Sequence, residues 1–202
     1  MSGKFHTYWG IHINASVTTE LTWLASVIPC SIGVRLIDAG LWGLEDADFV
    51  VWTDASLWHG LAFAFAGNGF YYQLWECPSN VLIDIFFLEL VAILSAIHYV
   101  ASLPHPPCRL VVFTDSLDAV GVFNSLWTSM AIHNGPLLAV AGIIMELGVD
   151  LRVLHIEGKV NLRADLLSHL LLSEYALKFP SDCVCSFSPP WDLFPVRWRE
   201  CF

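Results

Sequence analysis

The sequence has 202 residues, of which 56% are hydrophobic and 14% charged, and 19 acidic against 9 basic side chains give a formal net charge of −10. Ordinary soluble domains are about 45–50% apolar, so this composition excludes a largely disordered chain, and the negative charge excludes a basic protein that coats DNA. The length allows one full-sized domain with extensions and a substantial core.

Three stretches of the chain carry no Asp, Glu, Lys or Arg: residues 55–75, 90–108 and 119–145. Each is interrupted by Gly, Pro, Asn or His within the roughly 20 apolar residues that a membrane-spanning helix requires, so no membrane segment is predicted. The N-terminus lacks a basic segment followed by an apolar run, which predicts that there is no signal peptide. We therefore expect an intracellular protein, of the cytoplasm or nucleus, whose six cysteines stay reduced.

Residues 1–47 are predicted to form a lead-in to the main domain. Ser16 is expected to cap a helix that ends before Pro29, because apolar residues follow it at helical spacing. A short strand is expected at residues 34–39. An acidic, turn-rich loop at residues 40–48 then leads into a more regular pattern.

A regular α/β pattern is predicted over residues 48–172, and residues 173–202 are expected to be an irregular tail that contains prolines. The predicted strands are residues 49–52, 61–66, 70–75, 109–114 and 150–156, and the predicted helices are 85–102, 117–127, 136–147 and 162–172. Gly67-Asn68-Gly69 is a strong hairpin signal between the second and third strands. Since helical crossovers precede the last two strands, we expect a mixed five-stranded sheet, a three-strand antiparallel meander plus two parallel strands, with helices on both faces.

Four carboxylates lie within or at the ends of these apolar segments. Asp54 ends the first strand and Asp115 the fourth, and the active sites of open α/β sheets form beyond the carboxyl ends of parallel strands. Glu89 lies inside the long apolar helix, and Asp165 lies near the start of the last helix. A buried acid is costly unless it is paired, protonated or bound to a cation, so these positions are informative.

A convergence of these acids, without matching basic residues, predicts a site for hard divalent ions. Carboxylate oxygens suit Mg²⁺ or Mn²⁺, and two such ions about 3.5–4 Å apart can hydrolyse a phosphodiester. Two of the acids also have a structural interpretation: Asp115 could cap the next helix, and Asp165 could lie harmlessly near a helix N-terminus. Glu89 has no comparable role in so apolar a helix, which favours the metal site.

Four sequence blocks carry a resemblance to a known family. TDAS, FFLELVAI, VVFTDSLDAV and HIEGKVNLRADLLS, in this order, resemble the ribonuclease H domain of retrotransposon reverse transcriptases, in particular those of gypsy-like or tyrosine-recombinase retroelements of fungi. The resemblance covers about residues 48–170. Residues 1–47 also resemble the segment that connects this domain to the polymerase.

The resemblance implies a ribonuclease H-like fold and endonucleolytic cleavage of the RNA strand of RNA–DNA hybrids. It also implies which side chains are the catalytic residues and the ligands of two Mg²⁺ or Mn²⁺ ions: Asp54, Glu89, Asp115 and Asp165. The expected partners are an RNA–DNA hybrid and a polymerase domain in the parent polyprotein, because this chain contains no Tyr-x-Asp-Asp polymerase motif.

Substrate contacts are predicted at a few polar and basic positions: Ser56, Ser116, Asn124, Arg152, Lys159 and Arg163. The three basic residues cluster around the fourth acid and are the best candidates for phosphate contacts, which strengthen binding in a salt-dependent way. Ser116 and Asn124 could donate hydrogen bonds to backbone or 2′-hydroxyl oxygens, although Asn124 could equally lie on a helix surface.

The sequence departs from the family pattern at several histidine positions. The loop before the last helix carries Lys159 where many ribonucleases H have a His that assists product release. The last block ends in Ser168-His169 rather than the usual Ser-Arg, and His169 is interpreted as a surface residue. His59 is interpreted as a tolerated, partly exposed ring close behind Asp54.

A second function remains open from the sequence. The chain has no basic residue between Arg109 and Arg152, so it could be a catalytically weak or inactive remnant of the same fold that acts as a nucleic-acid-binding or scaffold domain. A third interpretation, another nuclease or an integrase of this fold, is disfavoured by the position of Glu89, because integrases usually carry their third acid late in the chain.

Overall fold

The computed structural model describes residues 14–30, 42–74 and 83–193. Its six strands are β1 (Phe49–Ser56), β2 (Gly60–Phe65), β3 (Asn68–Gln73), β4 (Arg109–Thr114), β5 (Asp150–His155) and β6 (Cys183–Ser186). Its six α-helices are α1 (Ala15–Val27), α2 (Ile85–Ala101), α3 (Leu117–Ser125), α4 (Asn134–Leu147), α5 (Leu162–Ser168) and α6 (Leu172–Lys178). No helix within these ranges is both long enough and apolar enough to cross a membrane.

The strands form one mixed sheet with the order β5-β4-β1-β2-β3-β6. The meander β1–β2–β3 is antiparallel, and β4 and β5 add in parallel beside β1, as predicted. The hairpin between β2 and β3 turns at Ala66-Gly67, and Gly67 adopts φ +77°, a conformation that a residue without Cβ reaches at little cost. The predicted hairpin is therefore confirmed, with its turn one residue earlier than the sequence signal.

The sheet is covered by helices on both faces, because side chains alternate along its strands. Leu61 and Phe63 of β2 face α2, whose residues are buried around most of its circumference. Ala62 and Ala64, between them in sequence, face the other way and pack against α5 and Tyr175 of α6. The predicted α/β class with helices on both faces is thus confirmed.

The tail after residue 172 differs from the prediction that it is irregular. It contains α6 and a sixth strand, β6, which pairs in parallel with β3. The backbone N–H of Cys183 donates to Gly67 O at 2.9 Å, and that of Phe187 donates to Tyr71 O at 3.0 Å. An open sheet edge presents unpaired N–H and C=O groups, and the tail satisfies these groups on β3.

The lead-in differs from the prediction in one detail. Asn14, rather than Ser16, caps α1, and its side chain accepts a hydrogen bond from the backbone N–H of Val17 at 2.9 Å. The strand expected at residues 34–39 lies outside the described residues. The described thiols Cys108, Cys183 and Cys185 are free.

Candidate metal centre

Three carboxylates converge at one end of the central strands. Asp54 lies in β1, Asp115 directly follows β4, and Glu89 lies in the second turn of α2. Each offers an oxygen atom within 4.8 Å of the oxygens of the other two. Asp54 and Glu89 are only 5% and 6% exposed, whereas Asp115 is more accessible to solvent. Positions 54, 89 and 115 of the sequence thus form one acidic pocket.

The parallel pairing of β1 with β4 brings two of these acids together. Trp52 lies opposite Phe113 at the end of this pairing, so the two strands run in the same direction and in register at this point. Asp54 and Asp115 follow these positions by two residues each and therefore lie side by side. The sequence prediction placed both residues at strand ends. Asp115 does follow the end of β4, whereas β1 continues two residues past Asp54 to Ser56, where it pairs with β2.

Glu89 is positioned by the start of its helix and by two hydrogen bonds. The Asp84 side chain caps α2 by accepting a hydrogen bond from Phe87 N at 2.7 Å, which fixes where the helix begins. Thr114 Oγ1 donates to Glu89 Oε2 at 3.5 Å, and the backbone N–H of Ala55 also donates to this carboxylate. The Glu89 carboxylate therefore lies near the carboxyl ends of β1 and β4, on the face of the sheet that α2 covers.

Burial dominates the electrostatics of the pocket. It raises the pKa of Asp54 to about 7; the hydrogen bond from Ser168 opposes this rise, and the charges of Asp115 and Asp165 add to it. Burial also raises the pKa of Glu89 well above its usual value, with further contributions from Asp54 and Asp115. Because these carboxylates repel one another, a cation placed between them would stabilise their ionised forms.

The donor set of the pocket fits a hard divalent cation. Within residues 42–74 and 83–193, no Lys or Arg forms an ion pair with Asp54, Glu89 or Asp115. The loop before α5 also closes on the pocket, since a Cβ atom on Gly158 would lie 3.0 Å from Asp115 Oδ2. Three carboxylates that lie together, without a Lys or Arg partner among these residues, are the ligand type that Mg²⁺ and Mn²⁺ prefer.

Asp165, the fourth predicted acid, belongs to a second group. It lies in the first turn of α5 with its side chain 48% exposed. Asp54, Asp165 and His169 each offer a ligand atom within 4.8 Å of the others, so Asp54 is common to both groups. The structure therefore brings all four predicted acids together through Asp54, in two overlapping sets.

Two histidines that the sequence interpretation set aside lie beside this second group. His169 is exposed, as expected, but its Nε2 atom lies 3.8 Å from Asp165 Oδ1. The His59 ring lies 5.2 Å from the His169 ring, and its Nδ1 atom is 3.0 Å from Ser56 Oγ. The spacing of four residues between Asp165 and His169 is the signal that could have revealed their contact.

Two further polar residues attach α5 to the strand that carries Asp54. Asn161 is buried, and its Nδ2 atom donates to Thr53 O at 2.9 Å. Ser168 is also buried, and its hydroxyl donates to Asp54 Oδ2. With Asp165 they recur at positions i, i+4 and i+7, a pattern that places side chains on one helix face. That periodicity within the block NLRADLLS is the sequence signal that could have revealed Asn161 and Ser168.

We predict that Ser168→Ala raises the pKa of Asp54 further in the metal-free protein, because it removes the hydrogen bond that favours the ionised form. The lost bond should also cost about 1 kcal/mol of stability. A ¹³C NMR titration of the aspartate carboxyls measures the pKa. Ser95→Ala is the control: Ser95 is also a buried serine, but its hydroxyl donates to Val91 O within α2. An unchanged Asp54 titration in Ser168→Ala would contradict the assigned contact.

Two of the predicted phosphate contacts already have partners within the protein. Arg163 Nε donates to Asp182 Oδ2 at 2.9 Å, and the guanidinium lies 4.2 Å from the centre of the Phe179 ring. The Arg152 guanidinium lies 3.9 Å from the centre of the Trp42 ring. Both residues therefore have structural roles that the sequence did not indicate.

The other predicted contacts differ in accessibility. Ser56 is buried against His59, which does not favour a direct contact with substrate. Ser116 caps α3 by accepting a hydrogen bond from Ala119 N at 3.3 Å. Asn124 is exposed, and with Arg152 it lines a cavity of about 360 Å³ between α3, α4 and β5. Lys159 is exposed in the loop next to Gly158, which makes it the predicted cation closest in sequence to the pocket wall.

The sheet order and the connections define the class of fold. A three-strand antiparallel meander is extended in parallel by β4 and β5, with α2 crossing one face and α5 the other. This is a ribonuclease H-like fold, with β6 added at the outer edge of the meander.

No protein-family model and no curated protein matches the sequence. Solved structures do resemble it. Ribonuclease H1 from the halophilic archaeon Halobacterium salinarum NRC-1 aligns over 62% of this chain and 98% of its own, with 16% identity and a TM-score of 0.46. LC11-RNase H1 in complex with an RNA/DNA hybrid aligns over 59% and 92%, with 18% identity and a TM-score of 0.47. Prototype foamy virus protease–reverse transcriptase aligns over 68% of this chain but 22% of its own, with 13% identity and a TM-score of 0.46.

Proposed function

We propose that this chain is a metal-dependent nuclease that hydrolyses the RNA strand of RNA–DNA hybrids, as the ribonuclease H part of a retroelement reverse transcriptase. The observation that carries the proposal is the convergence of Asp54, Glu89 and Asp115, without a protein cation among the described residues. The four sequence blocks, found in the order of the retrotransposon domain, support the substrate and the link to a polymerase.

The proposed ligands of two Mg²⁺ or Mn²⁺ ions are the four acids, Asp54, Glu89, Asp115 and Asp165. When bound, such ions would activate water for attack on the scissile phosphate and stabilise the leaving oxygen. Asp54 belongs to both ligand groups, and Ser168 holds its carboxylate in place. The hydrogen bonds that Glu89 accepts orient its carboxylate in the same way.

The proposed contacts to the nucleic-acid backbone come from two exposed side chains, Lys159 and Asn124. Lys159 is the cation available for a phosphate, because it is exposed and lies in the loop that closes on Asp115. Asn124 is exposed on α3 and could donate a hydrogen bond to a 2′-hydroxyl or backbone oxygen.

A specific observation also favours the second candidate, an inactive or weakly active remnant that binds nucleic acid or acts as a scaffold. Phosphate contacts supply much of the affinity for nucleic acid, and each needs an available cation. Arg163 is paired with Asp182, and Lys178 is paired with Glu174 at 2.8 Å. Few cations of the described residues therefore remain for a hybrid, and this part of the chain is expected to bind it weakly.

The test is cleavage of four labelled substrates by the purified protein: RNA–DNA hybrid, duplex RNA, duplex DNA and single-stranded RNA, with Mg²⁺ or Mn²⁺ and with EDTA as control. We expect cleavage of the RNA strand of the hybrid alone, only with metal, and more strongly at low salt, because salt ions compete with the protein's cations for the phosphates. Binding of the hybrid without cleavage at any protein concentration would support the remnant. Cleavage of duplex DNA would overturn the proposed specificity.

A further inference from the structure

We propose that His169 Nε2 is a nitrogen ligand of one of the two ions, and that this second group (Asp54, Asp165 and His169) therefore prefers Mn²⁺ over Mg²⁺. The inference rests on the proposed function, since it concerns the ions of the same site. The inference goes beyond the proposed function because it assigns a histidine to the site in addition to the four acids.

The arrangement of the second group fits a single ion. Asp165 lies in the first turn of α5 and His169, four residues later, is the residue that caps its C-terminus, which places both side chains on one side of the helix. The same spacing lets paired histidines on a helix bind one zinc ion. Ligands with bonds of about 2.0–2.2 Å lie roughly 3–4 Å from one another around an ion. The distance from His169 Nε2 to Asp165 Oδ1, 3.8 Å, falls in this range.

A surface ion pair between Asp165 and His169 is the simpler interpretation of the 3.8 Å contact between these two residues. Exposed pairs are worth about 0–1 kcal/mol and do not hold their side chains in one geometry. Here, however, the third member is Asp54, a buried carboxylate with no Lys or Arg partner in the described part of the chain. A cation at this position would contact all three side chains. The ion pair between Asp165 and His169 does not explain why Asp54 lies beside them.

The position of the His169 ring is restrained by its neighbours. Its centre lies 5.2 Å from that of His59, whose Nδ1 atom is 3.0 Å from Ser56 Oγ. The side chain of His169 is 44% exposed, so an ion can reach it from solvent. His59 thus acts as a positioning residue, while His169 supplies the ligand atom.

The chemistry of the two groups differs in a way that predicts metal preference. The first group (Asp54, Glu89 and Asp115) offers only oxygen, the ligand type that suits both Mg²⁺ and Mn²⁺. Mg²⁺ is bound through oxygen ligands, whereas imidazole nitrogen suits first-row transition metals. A mixed oxygen and nitrogen set therefore shifts the second group toward Mn²⁺.

The experiment detects nitrogen bound to the metal directly. The full chain is loaded with Mn²⁺ and examined by electron spin-echo envelope modulation, which reports ¹⁴N nuclei that coordinate the ion. We expect ¹⁴N modulation in the wild type and its loss in His169→Gln. His59→Phe is the matched control, because it keeps a ring against His169 and removes the other nearby imidazole; it should retain the signal.

Titration with Mn²⁺ and Mg²⁺ gives a second readout. His169→Gln should weaken Mn²⁺ binding at one site by about 10-fold or more, with a smaller effect on Mg²⁺. Mn²⁺ binding without ¹⁴N modulation, or modulation that persists in His169→Gln, would overturn this inference and leave the proposed nuclease intact. No Mn²⁺ binding would overturn both. Nitrogen coordination in a protein that does not cleave hybrids would support this inference while the proposed activity fails.

Discussion

Asp115→Asn will reduce the proposed metal-dependent cleavage of an RNA–DNA hybrid by at least about 100-fold while leaving the protein folded. Mutation of groups that only orient metal ligands typically costs 10–100-fold, so the loss of a ligand charge should reach or exceed about that range. Asn has nearly the same shape as Asp, and residue 115 is not part of the hydrophobic core. Single-turnover cleavage and the melting temperature, measured on the same preparation, separate the two effects.

Asp118→Asn is the matched control for this change. Asp118 is an exposed acid in the first turn of α3, three residues beyond Asp115, and it belongs to neither ligand group. Its substitution removes the same charge from the same region of the chain and should leave cleavage nearly unchanged. Equal losses in the two variants would mean that the overall charge, rather than a metal ligand, is responsible, and activity retained in Asp115→Asn would contradict the proposed site.

The metal-free protein should lose about 4 kcal/mol of its free energy of unfolding as the pH rises from about 4 to about 7, from Asp54 alone. The pKa of this buried carboxyl is about 7 in the folded protein, against an ordinary value of 3.8. Between these values the folded state keeps a proton that the unfolded state releases, so stability is greatest below about pH 4 and falls until about pH 7. The raised pKa of Glu89 acts in the same direction.

Urea unfolding in EDTA across this pH range measures the effect. Asp54→Asn cannot ionise and should flatten much of the profile, and it should be more stable than the wild type near pH 8. Divalent ions should restore part of the lost stability in the wild type, because they bind only the folded state. A wild-type profile that stays flat, or an Asp54→Asn profile as steep as that of the wild type, would contradict the burial that raises this pKa.

The sequence predicted the acidic pocket because its residues contrast with their surroundings. Asp54, Glu89 and Asp115 are charged residues in strongly apolar segments, and the order of strands and helices was enough to place two of them near the carboxyl ends of strands. The meander and the parallel additions followed from the hairpin signal and the helical crossovers. Local pattern and connection rules are sufficient for such features.

Other features depend on contacts between distant residues and left no usable pattern. Arg163 was predicted to bind phosphate, but its partner Asp182 lies in the tail that was expected to be irregular. The four residues of β6 are too few to show an alternation, and their pairing depends on an edge that only the folded sheet creates. His169 was interpreted as a surface residue because its neighbour Asp54 is 115 positions away in the sequence.

The pairing of β6 with β3 makes the end of the described chain a brace for the helix that carries the fourth acid. Asp182, immediately before β6, accepts hydrogen bonds from Arg163 on α5 and from Tyr175 on α6. A fragment that ended at residue 172 would lose this brace and would expose the outer edge of the meander to pairing with other chains. The folded unit therefore extends at least to residue 186, and a proteolytic cut between α6 and β6 would weaken the support of the proposed metal centre from a distance.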